Sequence, residues 1–339
     1  MASFLVTGGC GFIGSHLVDR LLSKGHEVRI LDNLSRGSEA YVPADAALVV
    51  GDVTDGDTVT AAMHGIDGCF HLAAVSASCR TRADWPGSHQ VNLSGSVNVF
   101  DAARERRVPV VYASSSAVYG DNADMPLREH ASLRPQTAYG ADKLGNELHA
   151  RVASLVYGVP TVGLRLFNVY GPRRNPADPC AGVVPRLMDN VLHDRPIKVH
   201  GDGEQIRDFV YVTDVVSFFE HAMAKAASQP TVFNVCSGRA TSIKQLAHLL
   251  RSITGRQVSV EYAAARPGDI RASVGDPARS RDVLGVRTEI VIADGLRQLL
   301  GQQRRVDVDR AMRGTDLPRR RLALLGTRAM PVMPVGVNE

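Results

Sequence analysis

The sequence predicts an α/β protein built on a doubly wound parallel sheet, with a smaller lobe formed by its C-terminal part. Three observations carry that expectation. Short apolar runs alternate with stretches of helical periodicity from the N-terminus onward, the pattern of strands buried on both faces and joined by crossover helices. The first run, Phe4-Leu5-Val6, opens into a glycine-rich turn and then a helix. The third observation is size: 339 residues with 44% hydrophobic content suffice for one large α/β unit or two lobes.

The turn reads Thr7-Gly8-Gly9-Cys10-Gly11-Phe12-Ile13-Gly14, and His16 to Leu22 begin a helix with Leu17, Val18, Leu21 and Leu22 on its apolar side. A strand, turn and helix of this kind hold a pyrophosphate. Gly8 lets the chain turn sharply, Gly11 removes a side chain where backbone must approach phosphate oxygens, and Gly14 lets helix and strand pack closely. The helix N-terminus adds free N–H groups. The spacing is Gly-x-x-Gly-x-x-Gly, one residue longer in its first step than the common dinucleotide fingerprint. Eighteen residues beyond Gly14, Asp32 ends a second apolar run, Val28-Arg29-Ile30-Leu31. A carboxylate there accepts hydrogen bonds from the adenosine ribose and repels a 2′-phosphate, so NAD is expected in preference to NADP. Arg36 is the nearby cation that argues the other way.

Ala47-Leu48-Val49-Val50 forms the next strand and leads through Gly51-Asp52-Val53 to a helix over about 58–63. Cys69-Phe70-His71-Leu72-Ala73-Ala74 is a central strand ending in small residues, as needed where a dinucleotide crosses the sheet edge. His64, Cys69 and His71 lack any metal-ligand spacing, and no metal site is expected. A helix follows over about 91–106, then a strand over 108–113 and the segment Ser114-Ser115-Ser116-Ala117-Val118-Tyr119-Gly120. Three hydroxyls at the carboxyl end of a strand stand where doubly wound sheets bind ligands, although serines also simply cap turns.

Pro135-Gln136-Thr137-Ala138-Tyr139-Gly140-Ala141-Asp142-Lys143 opens a further helix, with Leu144, Leu148, Val152, Leu155 and Val156 on its apolar side. Tyr139 and Lys143 are four apart and share a helix face. A phenol is a poor base at neutral pH, and an adjacent ammonium and a nicotinamide cation both favour the phenolate. Bringing its pKa from about 10 to about 7 takes roughly 4 kcal/mol.

Composition bounds the remaining classes. Cys10, Cys69, Cys79, Cys180 and Cys236 are scattered without paired spacing, which, with no basic and apolar leader, points to reduced thiols in the cytoplasm. No run approaches the roughly 18 apolar residues of a membrane span. The net charge of +4 resides in the eight arginines and four acids from Gly301 onward. The body is therefore neutral, and neither nucleic acid nor membrane is an expected partner. Residues 301–339, with Arg319-Arg320-Arg321, Pro331 and Pro334, keep no helical or strand period and are expected to form a basic, mobile tail.

With these residues in order, the chain resembles the extended short-chain dehydrogenase/reductases, within the NAD-dependent epimerase/dehydratase group and most like the UDP-glucose 4-epimerases. The matching stretches are the glycine turn, His71-Leu72-Ala73-Ala74, Ser114 to Gly120, Tyr139 to Lys143, Phe167-Asn168-Val169-Tyr170-Gly171-Pro172-Arg173 and Arg207-Asp208-Phe209-Val210-Tyr211-Val212-Thr213-Asp214. They place the match at about 4–300. The resemblance implies a Rossmann-type NAD-binding domain over 1–165, with segments near 205–235 and 285–300 returning to it, and a smaller C-terminal substrate-binding lobe mainly over 166–284. It implies NAD bound tightly on Gly8, Gly11, Phe12, Ile13, Gly14, Asp32, Asn33, Asp52, Val53, Leu72, Ala73, Asn92, Tyr139 and Lys143. The implied substrate is a UDP-sugar, whose reacting hydroxyl lies between Ser116 and Tyr139 with Ser115 alongside. Asn168, Val183 and Val184 would approach the diphosphate and uridine, Lys198 and His200 would edge the uracil, Arg207 and Arg266 would clamp phosphates, and Asp269 would meet the uridine ribose. Ser116, Tyr139 and Lys143 are the implied catalytic residues.

The implied reaction removes and returns a hydride at carbon 4 of the sugar, inverting it with no net redox change. Dehydratases of the group place an Asp-Glu pair in the strand-end loop, which Ser115-Ser116-Ala117 lacks. Reductases use NADPH, which Asp32 opposes. Glucuronate-acting epimerases differ by a Thr at the position of Asn168 and an Arg at that of Asn175; Arg173 and Arg174 keep UDP-glucuronate as the alternative substrate. A non-catalytic NAD-binding sensor is the alternative of another class, opposed by the intact Tyr139 and Lys143. Hexose-restricted 4-epimerases carry a Tyr four residues after the position of Asp269, and Ser273 stands there. The smaller residue implies that UDP-N-acetylglucosamine is accepted as well as UDP-glucose. The family is usually dimeric, and the helices near 91–106 and 139–157 are expected to pair across a two-fold axis into a four-helix interface.

Overall fold

The computed structural model describes residues 1–313 except 77–83, 175, 177, 179–180, 227–228 and 266–268, with side chains to residue 302. β1 (Ser3–Thr7) runs through the glycine turn into α1 (Phe12–Ser23), followed by β2 (Glu27–Asp32), β3 (Ala47–Val50), α2 (Gly56–Met63) and β4 (Gly68–His71). Next come α3 (Trp85–His89), a π turn (Gln90–Ser94) and α4 (Gly95–Arg104), then β5 (Val110–Ser115), α5 (Ala138–Tyr157), β6 (Thr161–Leu166) and β7 (Asn168–Tyr170). The remainder is α6 (Val183–Leu192), β8 (Ile197–His200), β9 (Ile206–Arg207), β10 (Phe209–Tyr211), α7 (Val212–Ala224), β11 (Thr231–Val235), β12 (Thr241–Ser242), α8 (Ile243–Thr254), β13 (Val260–Ala263), β14 (Ala272–Ser273) and α9 (Ile292–Arg313).

Seven strands form one wholly parallel sheet in the order β11-β6-β5-β4-β1-β2-β3. The chain winds outward from β1 in both directions, so a crevice opens beyond the carboxyl ends of β1 and β4, where the strand order reverses. Both faces are covered. Val6, Ile30, Phe70 and Val111 enter one core with Leu17 and Val18 of α1 and Phe218 and Phe219 of α7. Their neighbours Leu5, Leu31, Cys69 and Val110 enter the opposite core with Val59, Val99, Phe100 and Ala150. Adjacent residues are therefore both buried, which is why these strands read as continuous apolar runs rather than alternating ones. A third core, with Val184, Leu187, Met188, Val199, Leu246 and Leu250, is framed by the short sheets β10-β7, β12-β9-β14 and β13-β8.

Three local expectations are corrected, and the faces of one helix are resolved. β4 ends at His71, and Leu72 to Ala74 leave the ladder. The helix expected from 91 starts at Trp85, because the Asp84 carboxylate accepts from Gly87 N at 2.9 Å and Pro86 sits in the first turn, where it forfeits no helical bond. On α5 the buried side is Lys143, Asn146, Ala150 and Ala153; Leu148, Val152, Leu155 and Val156 point outward and are 58, 46, 54 and 67% exposed. The backbone stays helical to Arg313, so the start of the segment read as an irregular tail is helix. Residues 314–339, with Arg319-Arg320-Arg321, lie outside the described residues.

Candidate active site

The glycine turn has the geometry its spacing demands. Gly8 is left-handed, at φ 69°, and a Cβ on it would stand 2.7 Å from Ala73 N. A Cβ on Gly14 would stand 2.2 Å from Gly8 O, so α1 begins flush against the turn. Gly11 N donates to Gly8 O at 3.0 Å, and the first turn of α1, with Phe12 and Ile13, carries no side-chain cap. Uncapped N–H groups above a turn stripped of side chains make an anion cradle, and these residues fit the pyrophosphate of a dinucleotide.

The ends of β2 and β3 are braced by carboxylates. Asp32, 8% exposed, accepts from Cys10 N and from Leu34 N, each at 2.9 Å. Asn33 Nδ2 donates to Asp52 Oδ2 at 2.6 Å, which fixes that pair at the ends of β2 and β3. Arg36 donates to both oxygens of Asp178 at 2.6 Å. Val53 is buried in the core with Leu5 and Leu31. Leu72 and Ala73 follow β4 directly and are partly buried. Asn92 is 0% exposed, its Oδ1 accepting from Val75 N at 2.7 Å and its Nδ2 donating to Val75 O at 3.1 Å.

At the end of β5, Ser115 stands beside the Tyr139 phenol and favours its ionised form, and Ser116 follows it directly in the chain. The strand ends at Ser115 and passes into a 3-10 turn that begins at Ser116. Ser115 Oγ also accepts from Ala117 N at 3.1 Å and so ties the turn to the strand end. Tyr139 lies in the first turn of α5, which Thr137 caps by accepting from Gly140 N at 3.0 Å. A Cβ on Gly140 would stand 2.7 Å from Ala117 O; the bare position lets α5 close on the serine turn.

Lys143 Nζ is 5.6 Å from the Tyr139 ring centroid. Burial brings the Lys143 ammonium down to about 8, opposed by the Asp142 carboxylate. Burial also pushes the Tyr139 phenol up, against the Ser115 hydrogen bond and the Arg174 charge. The unliganded phenol is thus protonated at neutral pH rather than poised as a base, and its activation waits on further positive charge. Arg174, which the sequence reading did not place here, lies over the Phe12 ring with Cζ 5.1 Å from its centroid. Arg173 turns away, donating to Asp19 at 2.6 Å and lying over Tyr41.

Asn168 begins β7, its N–H donating to Asp208 O at 3.0 Å. Arg207 and Asp269 meet each other, with Arg207 Nη2 donating to Asp269 Oδ1 at 2.7 Å, and Gln205 Nε2 reaches Asp269 Oδ2 at 3.3 Å. Ser273 pairs with Arg207 between β14 and β9 and is 6% exposed. Val183 is partly buried at the start of α6, and Val184 is sunk in the third core. Lys198 is exposed and His200 partly so, with Nδ1 3.2 Å from Ala264 O. Arg266 lies outside the described residues.

Residues 4–236 match the NAD dependent epimerase/dehydratase family. The chain belongs to that family. A UDP-glucose 4-epimerase of Mycolicibacterium smegmatis is 37% identical over 300 residues, which cover 86% of this chain and 95% of the relative. A solved UDP-glucose 4-epimerase of Thermotoga maritima with UDP-glucose superposes with a TM-score of 0.86 at 32% identity, covering 90% of this chain and 99% of that one. A UDP-N-acetylglucosamine 4-epimerase of Methanobrevibacter ruminantium, in complex with UDP-N-acetylmuramic acid, gives 0.85 at 32% identity over the same shares. The family member described here is an NAD-dependent enzyme. No helix among its described residues is long and apolar enough to cross a membrane.

Two features of this epimerase/dehydratase escaped the sequence reading. Gln205 carries no motif, and only its bond to Asp269 marks it. Asp208 lay within a recognised stretch, yet its role did not: its carboxylate, 0% exposed, accepts from Ser237 N and Oγ, Gly238 N and Gly275 N at 2.6 to 3.3 Å.

Proposed function

We propose that the protein is a UDP-sugar 4-epimerase, interconverting UDP-glucose with UDP-galactose and UDP-N-acetylglucosamine with UDP-N-acetylgalactosamine. The observation that carries this reading is the meeting of the Tyr139 phenol, the Ser115 hydroxyl and the Lys143 ammonium beside a glycine cradle at the sheet's switch point. NAD, when bound, supplies the hydride acceptor and then the donor. Ser116, with Ser115 alongside, holds the sugar's 4-hydroxyl within reach of Tyr139, which takes its proton as the carbon 4 hydrogen leaves. Lys143 and Arg174 offset the phenolate charge. After the 4-keto sugar turns over, Tyr139 returns the proton, and the opposite hydroxyl configuration results.

Residues 1–165 with their returning segments hold the dinucleotide in this scheme, and residues 166–284 hold the nucleotide sugar, with Arg207 released from Asp269 to meet the diphosphate. Ser273 in place of a phenol ring leaves room for the acetamido sugars as well as the plain hexoses. The exposed Leu148, Val152, Leu155 and Val156 support a homodimer through α5, and the free thiols Cys10, Cys69 and Cys236 suit a reducing cytoplasm.

NMR product analysis tests the proposal, using purified protein without added cofactor and UDP-glucose, UDP-N-acetylglucosamine or UDP-glucuronate supplied separately. The galacto products of the two neutral sugars are expected. Turnover of the glucuronate alone would move the assignment to the acidic sugar, and conversion of none would favour a silent NAD sensor.

A further inference from the structure

His71 closes β4 beside the crevice and has no part in the proton transfer above. It is 2% exposed, between Thr7 and Ser96 at 0%. Thr7 Oγ1 lies 2.7 Å from His71 Nδ1, and His71 Nε2 lies 2.9 Å from Ser96 Oγ. At the ends of this line, Ala73 N is 3.3 Å from Thr7 Oγ1, and Ser96 Oγ is 2.7 Å from the Asn92 carbonyl oxygen.

The two ends determine every proton between them. A carbonyl oxygen only accepts, so the Ser96 hydroxyl donates to Asn92. Ser96 Oγ then accepts from His71 Nε2–H, which leaves Nδ1 as a lone pair that accepts the Thr7 hydroxyl. The Thr7 oxygen in turn accepts from the Ala73 amide. Burial with the nearby Lys143 charge lowers the His71 pKa to about 3, so the ring is neutral, and with Nε2 donating to Ser96 it is held in one tautomer.

The line is also closed into a ring. Asn92 grips both backbone groups of Val75 through its side chain, so the bonds leave Ala73 and come back two residues later. The enclosed segment packs on Gly8, where no room remains for a Cβ. Slack anywhere in the ring is therefore felt at the phosphate cradle.

We infer that His71 is a positioning residue for NAD, which through Thr7 and Ser96 holds the Ala73–Val75 wall against the glycine turn. The inference needs NAD binding alone and stands apart from the identity of the sugar.

Thr7→Val and Ser96→Ala each remove both bonds of one hydroxyl at little change in shape. Each should speed NAD release from the holoenzyme by at least about tenfold, the size of one buried hydrogen bond, while the KM for the nucleotide sugar stays put. His71→Asn, which retains an acceptor for the Thr7 hydroxyl, should hold NAD longer than His71→Leu. In protein labelled with nitrogen-15 histidine, His71 should show a protonated Nε2 and a bare Nδ1, a signature that requires no variant to fold. The opposite tautomer, or wild-type NAD release from both the Thr7 and Ser96 variants, would overturn the assignment.

Discussion

Ser115 and Ser116 are adjacent in the chain, the first ending β5 and the second opening the turn that follows. The backbone leaves the strand between them, so the two hydroxyls have different surroundings and single substitutions tell which one serves the sugar. Ser116→Ala should lower kcat on UDP-glucose by about 10²- to 10³-fold, and Ser115→Ala should lower it less; equal losses would contradict that division of roles. Lys143 allows a test by pH. Its ammonium has an ordinary pKa of 10.5 and is brought to about 8 in the folded, cofactor-free protein. Between those values the unfolded chain keeps a proton that the folded one has released, so stability rises with pH across the window. Urea melts of stripped protein at about pH 8 and about pH 10 should show that rise in the wild type and lose it in Lys143→Met. Gly8, Gly14, Asp32, Tyr139 and Lys143 were legible in the sequence because short-range spacing on one strand, turn or helix dictates where they stand. The Arg207–Asp269 pair was not, because it joins residues far apart in the chain, and no local period records such a meeting.

The helix α5 joins catalysis to framework. Beyond Lys143 on the same element, Glu147 receives Arg165 of β6 through two bonds, at 2.8 and 2.7 Å, and both side chains are under a tenth exposed. Ser114 donates to the same carboxylate at 2.5 Å, and Arg165 reaches Tyr119 Oη at 2.9 Å. The pair therefore fastens β5, β6 and α5 together directly behind the serine turn. Arg165→Met would strand a buried carboxylate and should cost about 3–5 kcal/mol in urea unfolding. A loss under about 1 kcal/mol would show that solvent or another donor reaches Glu147. Periodicity revealed that α5 is a helix with an apolar stripe, yet it could not say which side meets the sheet. Small and polar residues, Asn146, Ala150 and Ala153, face inward because α4 packs closely there, and the larger apolar residues are left outside.

For the whole molecule, that outward stripe predicts association. Leu155→Glu with Val156→Glu should convert a dimer to a monomer in sedimentation equilibrium at micromolar concentration; a wild type already monomeric would refute the proposed interface. The centre of the sheet has a consequence for how the protein comes apart. β1 meets β2 at Ser3 and Glu27, a short loop, but meets β4 at Phe4 and Gly68, across a much longer one. Closing a longer loop costs more chain entropy, so the β1–β4 seam is the costlier of the two to hold, and it is the seam that a dinucleotide would bridge. NAD then serves as a removable staple between two half-sheets as well as a reagent. Amide exchange should quicken at Cys69 to His71 once it is stripped, before β1 and β2 loosen from each other, so an enzyme that never consumes its cofactor still has reason to keep it.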